Sequence, residues 1–245
     1  MQAKQSMNDM IKTAFVPIIV YYFVHQMAAM VLLSLVSYMF PEQRDVLGSL
    51  VTMVTKMLAM MLAGVSVLSF YRNEVQRKND SPGRVSGISD KNEHREQNCE
   101  KKELFLKNII FIMIAGAVFS LSLNYLFVFT GLMNSSEAYN QVANEQFSYA
   151  LLPALCFYGV VSPMVEEMVF RGVVFSALKR NLGIKMAVFG SAFLFGAIHG
   201  NVVQMLYGTL MGIFMAVFYE KYDKLLAPIL FHGAANIAVY ICSRI

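Results

Sequence analysis

The chain has 245 residues, of which 57% are hydrophobic and only 15% charged, and its mean hydropathy is +0.52. This composition is far more apolar than one soluble core requires, so it excludes an ordinary soluble domain. The net charge of +4 is too small to indicate a nucleic-acid partner, and the placement of the charges bears on topology instead.

Apolar runs long enough to cross the hydrocarbon core of a bilayer, which takes about 20 residues, recur along the chain. The sequence therefore predicts an all-α fold, a polytopic helical bundle in the cell membrane with about seven transmembrane helices. The first run is too long for the core of a signal peptide, and we expect it to be retained as a helix. The predicted spans are Thr13–Phe40, Val46–Phe70, Ile109–Met133, Phe147–Val165, Met186–Ile198, Val202–Tyr219 and Leu225–Cys242.

A polar segment, Tyr71–Lys107, separates the second and third spans and holds nine Lys or Arg and seven Asp or Glu. Its composition predicts a flexible loop, which the positive-inside rule assigns to the cytoplasm. The link Pro41–Asp45 carries a single Arg, and the link Asn134–Gln146 carries neither Lys nor Arg. Both links are therefore expected on the outer side of the membrane. The N-terminus, with Lys4 and Lys12, is then expected inside.

Two local patterns concern helix packing and helix breaks. Gly208 and Gly212 form a GxxxG on the sixth span, which favours close approach of a second helix. Pro163, preceded by Ser162, suits the start or a kink of a helix because proline lacks an N–H donor. A helix break is therefore predicted just before the two carboxylates that follow.

Ionisable and polar groups collect in three late clusters: "EEMVFR" at Glu166–Arg171, "FGAIH" at Phe195–His199 and "HGAAN" at His232–Asn236. Such groups are costly in a bilayer and usually face a protein interior or a wet cavity. Glu167 and Arg171 are four residues apart, which predicts an ion pair on one helix face. Glu166 is turned by about 100° from its neighbour and has no local cation, so we expect it to point elsewhere and to lack a close partner.

The three clusters lie at similar heights along their predicted helices, measured from the cationic turns. Counted from the cationic turn at Arg180 and Lys185, Glu166 and His199 each lie about 21 Å up their helices. Asn236 lies about 18 Å above Lys224 by the same rise per residue. These heights predict a shared cavity.

A carboxylate, two imidazoles and an amide in one cavity favour a hydrolytic site. Glu166 is the candidate general base, with His199 holding the water, while His232 and Asn236 are candidate donors to the oxyanion. A second chemistry uses the same atoms, since Glu166, His199 and His232 could bind zinc and leave one position for water. The residues leave these two alternatives open.

The three clusters resemble the ordered motifs EExxxR, FxxxH and HxxxN of the CAAX protease and bacteriocin-processing (CPBP, or Abi) family of intramembrane proteases. The resemblance covers roughly residues 147–245 and implies an endopeptidase similar to the type II CAAX prenyl endopeptidase. It implies that Glu166 and His199 activate water and that His232 and Asn236 stabilise the oxyanion, with Glu167 and Arg171 in support. No cofactor is implied with certainty, and zinc is the alternative because the family is often described as metalloproteases.

The resulting division is residues 1–146 as N-terminal transmembrane helices with the cytoplasmic loop at 71–107, and residues 147–245 as the catalytic core. The expected partners are the lipid bilayer and a peptide or membrane-protein substrate.

A second hypothesis is a non-proteolytic scaffold or immunity protein that regulates a sensor kinase, a peptide or a transporter as its membrane partner. A transporter ranks last, because only one Pro-interrupted site occurs. His25, Lys56 and Asn124 are interpreted as packing, snorkelling or cavity groups.

Overall fold

The computed structural model describes residues 10–39, 46–80 and 88–244, and within these ranges the chain forms seven helical stretches and no strand. The predicted link Pro41–Asp45, Lys4 and residues 81–87 of the polar segment lie outside the described residues. In chain order the helices are α1 (Ile11–Met39), α2 (Val46–Asn79), α3 (Ile88–Phe129), α4 (Glu137–Ser148), α5 (Leu151–Ala197), α6 (Val202–Tyr222) and α7 (Leu226–Cys242).

Five of these helices, α1, α2, α3, α5 and α6, are long and apolar enough to cross a membrane, and α7 is a shorter apolar helix of 17 residues. Their outer faces carry large apolar side chains that stay exposed in the isolated chain, such as Ile110 at 72% and Phe129 at 77%. Such exposed apolar faces suit lipid rather than water. The all-helical, multi-pass membrane fold predicted from the sequence is confirmed.

Helix α5 is about twice as long as one crossing needs, with 47 residues. It reverses at Gly183, whose φ of +83° lies in the left-handed region that glycine adopts without a Cβ clash. The fourth and fifth predicted spans are therefore the two arms of α5, before and after this glycine. The apolar run Phe147–Val165 begins in α4 and covers only part of the first arm, because α5 starts at Leu151 and continues through Glu166–Arg171.

The flexible loop predicted at Tyr71–Lys107 is wrong for most of its length. Helix α2 continues to Asn79 and α3 begins at Ile88, so both helices extend well past their apolar runs. Lys, Arg, Glu and Gln are good helix formers, and a polar composition does not by itself break a helix. Glu74 on this extension is buried and accepts hydrogen bonds from Arg180 at 2.5 and 3.2 Å, which ties α2 to the first arm of α5.

The link at Asn134–Gln146 contains the amphipathic helix α4, which begins where the Ser136 side chain accepts the N–H of Tyr139 at 3.2 Å. Glu145 on this helix accepts a hydrogen bond from Lys56 of α2 at 2.6 Å. Helix α4 is thereby held against the end of α2.

The GxxxG pattern marks the contact between the second arm of α5 and α6. A Cβ on Gly208 would lie 3.1 Å from the Cα of Gly196, and one on Gly212 would lie 2.9 Å from the Cα of Ala192. Both glycines allow the two helix backbones to touch, as the pattern predicted. This contact brings the turn after α5 close to the first arm, where the carboxylates lie.

Candidate active site

The two glutamates lie in the first arm of α5, in a short α-helical stretch, Ser162–Glu167, between two π-helical stretches, Phe157–Val161 and Met168–Phe175. The break predicted before the carboxylates is absent, because Val161 keeps helical dihedral angles of −65° and −51°. The wider π-helical turn instead accommodates Pro163 without interrupting the helix. π-helical turns occur often at functional sites.

The π-helical turn changes which backbone carbonyls are free. The N–H of Ser162 donates to the carbonyl of Phe157, five residues back, rather than to that of Tyr158, four residues back. The freed Tyr158 carbonyl accepts a hydrogen bond from Asn236 Nδ2 at 2.9 Å. Asn236 of α7 is thus positioned by a backbone group that a regular α-helix would have used internally.

Pro163 leaves a second carbonyl without its α-helical donor, that of Gly159 four residues back. Gly233 of α7 packs directly against this oxygen, since a Cβ on Gly233 would lie only 2.3 Å from it. The close approach of the two backbones fixes α7, and with it the neighbouring His232, against the carboxylate helix.

Glu167 and Arg171 form the ion pair predicted from their spacing, with both side chains fully buried. Arg171 Nη1 donates to Glu167 Oε1 at 3.0 Å, and its Nη2 donates to the carbonyl of Gly212 at 3.0 Å. The guanidinium also lies 4.8 Å from the centre of the Phe195 ring. Glu167 Oε1 further contacts Nδ1 of His232 at 2.9 Å. The ion pair therefore orients a motif histidine as well as holding the helix.

Glu166 has one neighbour that the sequence interpretation did not assign, Ser162, and one that it placed in the same cavity, His232. The hydroxyl of Ser162, four residues earlier on the helix, donates to Glu166 Oε1. His232 Nε2 lies 3.9 Å from Glu166 Oε2. The expectation that Glu166 lacks a close partner is thus wrong, because the same helical spacing that pairs Glu167 with Arg171 also places Ser162 beside Glu166.

His199 lies in the turn between α5 and α6 rather than within a helix. Its Nδ1 is 2.9 Å from the carbonyl of Phe195, and Gly200, with a φ of +80°, follows it. Because a carbonyl only accepts hydrogen bonds, Nδ1 carries the proton and Nε2 has the lone pair in the neutral ring. The Phe195 ring meets the His199 ring edge-on at 5.2 Å and the His232 ring at 5.5 Å.

All four predicted catalytic side chains line one cavity of about 390 Å³, which Glu166, His199, His232 and Asn236 enter from α5, the turn after it and α7. The predicted convergence of the three motifs on one cavity is therefore seen in the structure. The same cavity is also lined by groups from α1, α2 and α3 that the sequence offered only as packing, snorkelling or cavity residues: His25, Lys56 and Asn124.

A zinc site requires three protein ligand atoms at about 2 Å from one ion. In the described part of the chain, no three His, Cys, Asp or Glu side chains are grouped closely enough to hold a metal ion. His232 directs Nδ1 towards Glu167, and its Nε2 stays 3.9 Å from Glu166. As arranged here, the set Glu166, His199 and His232 does not fit a zinc site.

Sequence reasoning missed Ser162 as a neighbour of Glu166, although the i−4 spacing was available to find it. It also missed Tyr21, which lines the cavity from α1. No local spacing marks that residue, because α1 reaches the cavity only through tertiary packing against α2 and α5.

Comparison with known proteins covers the part of the chain that holds the predicted site residues. Residues 148–238 match the family model described as type II CAAX prenyl endopeptidase Rce1-like. A Bacillus subtilis (strain 168) protein named "Putative membrane peptidase YdiL" is 32% identical over 82 residues, which is 34% of this chain and 34% of that protein. The similarity thus spans about a third of that relative's length, and no solved structure gives a significant match. The chain is thus similar over residues 148–238 to Rce1-like type II CAAX prenyl endopeptidases, and over 82 residues to a protein named as a membrane peptidase.

Proposed function

We propose that this protein is an intramembrane endopeptidase that hydrolyses a peptide bond in a membrane-associated protein or peptide. The observation that carries the proposal is that side chains from three separate motifs line one cavity inside a bundle with apolar outer faces. A carboxylate with imidazole and amide groups in such a cavity suits peptide hydrolysis. The Rce1-like match and the relative named as a membrane peptidase favour the same reaction.

Glu166 and His199 activate the water in this proposal. Glu166 takes a proton as the water oxygen bonds to the peptide carbonyl carbon, and later gives it to the leaving nitrogen as the C–N bond breaks. The products are a carboxylate and an amine. The Ser162 hydroxyl holds one carboxylate oxygen of Glu166 and leaves the other, Oε2, directed towards His232. His199, protonated at Nδ1, accepts a hydrogen bond from the water at Nε2.

His232 and Asn236 stabilise the oxyanion. Asn236 uses one N–H of its amide on the Tyr158 carbonyl, and the second N–H of the same group is available to a substrate oxygen. His232 directs Nδ1 towards Glu167 and donates from Nε2 when the ring is an imidazolium. With that ring charged, the cations of Arg171 and His232 balance the two carboxylates, which lowers the cost of burying them.

The test is Glu166→Gln, which keeps the shape of the side chain and removes its basicity. We expect the peptides released by membranes of wild-type cells to include at least one product that the Glu166→Gln cells lack, because proton transfer by such a group contributes about 10²- to 10⁴-fold to the rate. Mass spectrometry of the two peptidomes measures this difference. The purified protein in lipid should then cleave a synthetic peptide that spans the identified site, and His199→Ala should lose the same cleavage.

Glu220→Gln is the matched control, because Glu220 lies on a half-exposed face, paired with Lys179, away from the cavity. It should release the wild-type set of peptides. If Glu166→Gln and His199→Ala both insert normally and leave the peptidome and the cellular phenotype unchanged, the endopeptidase proposal fails. The non-proteolytic scaffold would then account for the protein better.

A further inference from the structure

Tyr21 of α1 has a buried hydroxyl and lines the cavity of the proposed active site. Its side chain is only 3% exposed, and it lines the same cavity as Glu166 and His232. The hydroxyl donates to the sulfur of Met60, another cavity residue, at 3.6 Å. A thioether is a weak acceptor, so this hydroxyl is held by a bond that costs little to exchange.

The ring of Tyr21 is fixed on two sides. It meets Phe170, which lies on the carboxylate helix, edge-on with centres 6.4 Å apart, and it lies parallel to the ring of His25 at 6.1 Å. Edge-on aromatic contacts of this kind favour one ring orientation. The hydroxyl therefore keeps its position in the cavity without an ordinary oxygen acceptor.

Two other polar side chains of the cavity donate to carbonyl oxygens instead. The hydroxyl of Tyr207 donates to the carbonyl of Ser120 at 3.4 Å, and Asn236 donates to the carbonyl of Tyr158 at 2.9 Å. If the donor turns to a substrate, a buried carbonyl oxygen is left without a hydrogen bond, which costs free energy. A thioether sulfur left without its donor costs little, because it is a weak acceptor. Tyr21 is thus well suited to turn its hydrogen bond towards a substrate oxygen.

We propose that Tyr21 is a further catalytic residue, whose hydroxyl donates a hydrogen bond to the oxyanion formed from the substrate's peptide carbonyl. This inference rests on the proposed endopeptidase function and adds a third donor to His232 and Asn236. Exchange of the sulfur for an oxyanion replaces a weak neutral hydrogen bond by a charge-assisted one that exists only as the reaction proceeds. A donor held in a fixed orientation stabilises such charge strongly. Tyr21 lies outside residues 148–238, so the donor comes from a helix that the family match does not cover.

The test is Tyr21→Phe, which removes only the hydroxyl and leaves the aromatic packing in place. With the synthetic peptide that spans the cleavage site found by the peptidome comparison, we expect kcat to fall about 10²-fold while KM stays within about 3-fold, as for other single oxyanion donors. The melting temperature of the protein should stay at the wild-type value, because the lost hydrogen bond is weak.

Tyr222→Phe is the matched control. Tyr222 is fully buried, its hydroxyl has no hydrogen-bond partner within the described ranges, and it does not line the cavity. It should cleave the peptide at the wild-type rate. A wild-type kcat for Tyr21→Phe would overturn the inference, and so would a loss of rate matched by a lower melting temperature or a raised KM, since either marks a packing or binding role.

The Glu166→Gln arm separates this inference from the proposed function. If wild type and Glu166→Gln release the same peptides, the endopeptidase function itself fails, and Tyr21 loses its proposed role with it. If wild type cleaves, Glu166→Gln does not, and Tyr21→Phe cleaves as fast as wild type, only the role of Tyr21 is wrong.

Discussion

The motif residues show which contacts between side chains follow from helical spacing. Glu167 with Arg171, and Ser162 with Glu166, are both four residues apart and both form hydrogen bonds in the structure. The first pair was predicted, and the second could have been. The bond between His232 and Glu167 joins residues 65 positions apart, and no local pattern specifies it. What the sequence could not reveal at this scale is therefore the set of contacts between helices.

Arg171→Ala should destabilise the protein strongly. It leaves the buried carboxylate of Glu167 without its cation and the carbonyl of Gly212 without its donor, and breaking a buried ion pair typically costs about 3 to 5 kcal/mol. Reversible unfolding of the purified protein in mixed micelles measures the loss. Lys179→Ala removes half of the exposed pair with Glu220 and should cost about 1 kcal/mol or less. Equal stability of the two variants would contradict a structural role for Arg171.

At the scale of elements, the length of the apolar runs predicted which segments cross the membrane, but it did not predict where the helices end. The polar ends of α2 and α3 are helical because their charged residues are helix formers, and because Glu74 is bonded across to Arg180. The amphipathic α4 escaped prediction for the opposite reason, since a short polar segment gives no membrane signal. The helix break predicted at Pro163 is wrong because a π-helical turn absorbs the proline.

Gly233→Ala tests the contact between α5 and α7. The new Cβ would lie 2.3 Å from the carbonyl oxygen of Gly159, a backbone atom that cannot move aside alone. Overpacking of this kind typically costs about 1 to 3 kcal/mol, which unfolding in mixed micelles would show. Gly190→Ala is the control, because its Cβ would meet only the end of the Leu178 side chain at 3.0 Å. We expect that variant to be neutral or slightly more stable, since alanine favours a helix. Similar losses in both variants would contradict the contact.

For the whole molecule, the catalytic groups and the cavity have different origins in the chain. Glu166, His199, His232 and Asn236 all come from the region matched to the family, and the sequence predicted their convergence. The opposite wall comes from α1 to α4, from which the sequence offered only His25, Lys56 and Asn124 as packing, snorkelling or cavity groups, because the lining residues there share no motif and meet only after the bundle has formed. The motif residues thus all lie after residue 146, whereas helices from both sides of that position enclose the cavity.

Residues 147–245 expressed alone should neither cleave the substrate nor fold as the full chain does. Val165 beside Glu166 packs against Gly64 of α2, and Gly172 packs against the ring of Tyr71, so the carboxylate helix would lose a face that the full chain buries. Size-exclusion chromatography and the peptide assay would show this, with the separately expressed residues 1–146 added back as the control. A monodisperse and fully active fragment would contradict the shared cavity.

The two π-helical turns beside the glutamates have an evolutionary consequence. A π-helical turn holds one more residue than the α-helical turn it replaces, so loss of a single residue from Phe157–Val161 would restore a regular α-helix there. That deletion would narrow the turn that now presents the carbonyl of Tyr158 to Asn236, and so would disturb this hydrogen bond. We therefore expect the spacing between Phe157 and Glu166 to tolerate substitutions far better than insertions or deletions.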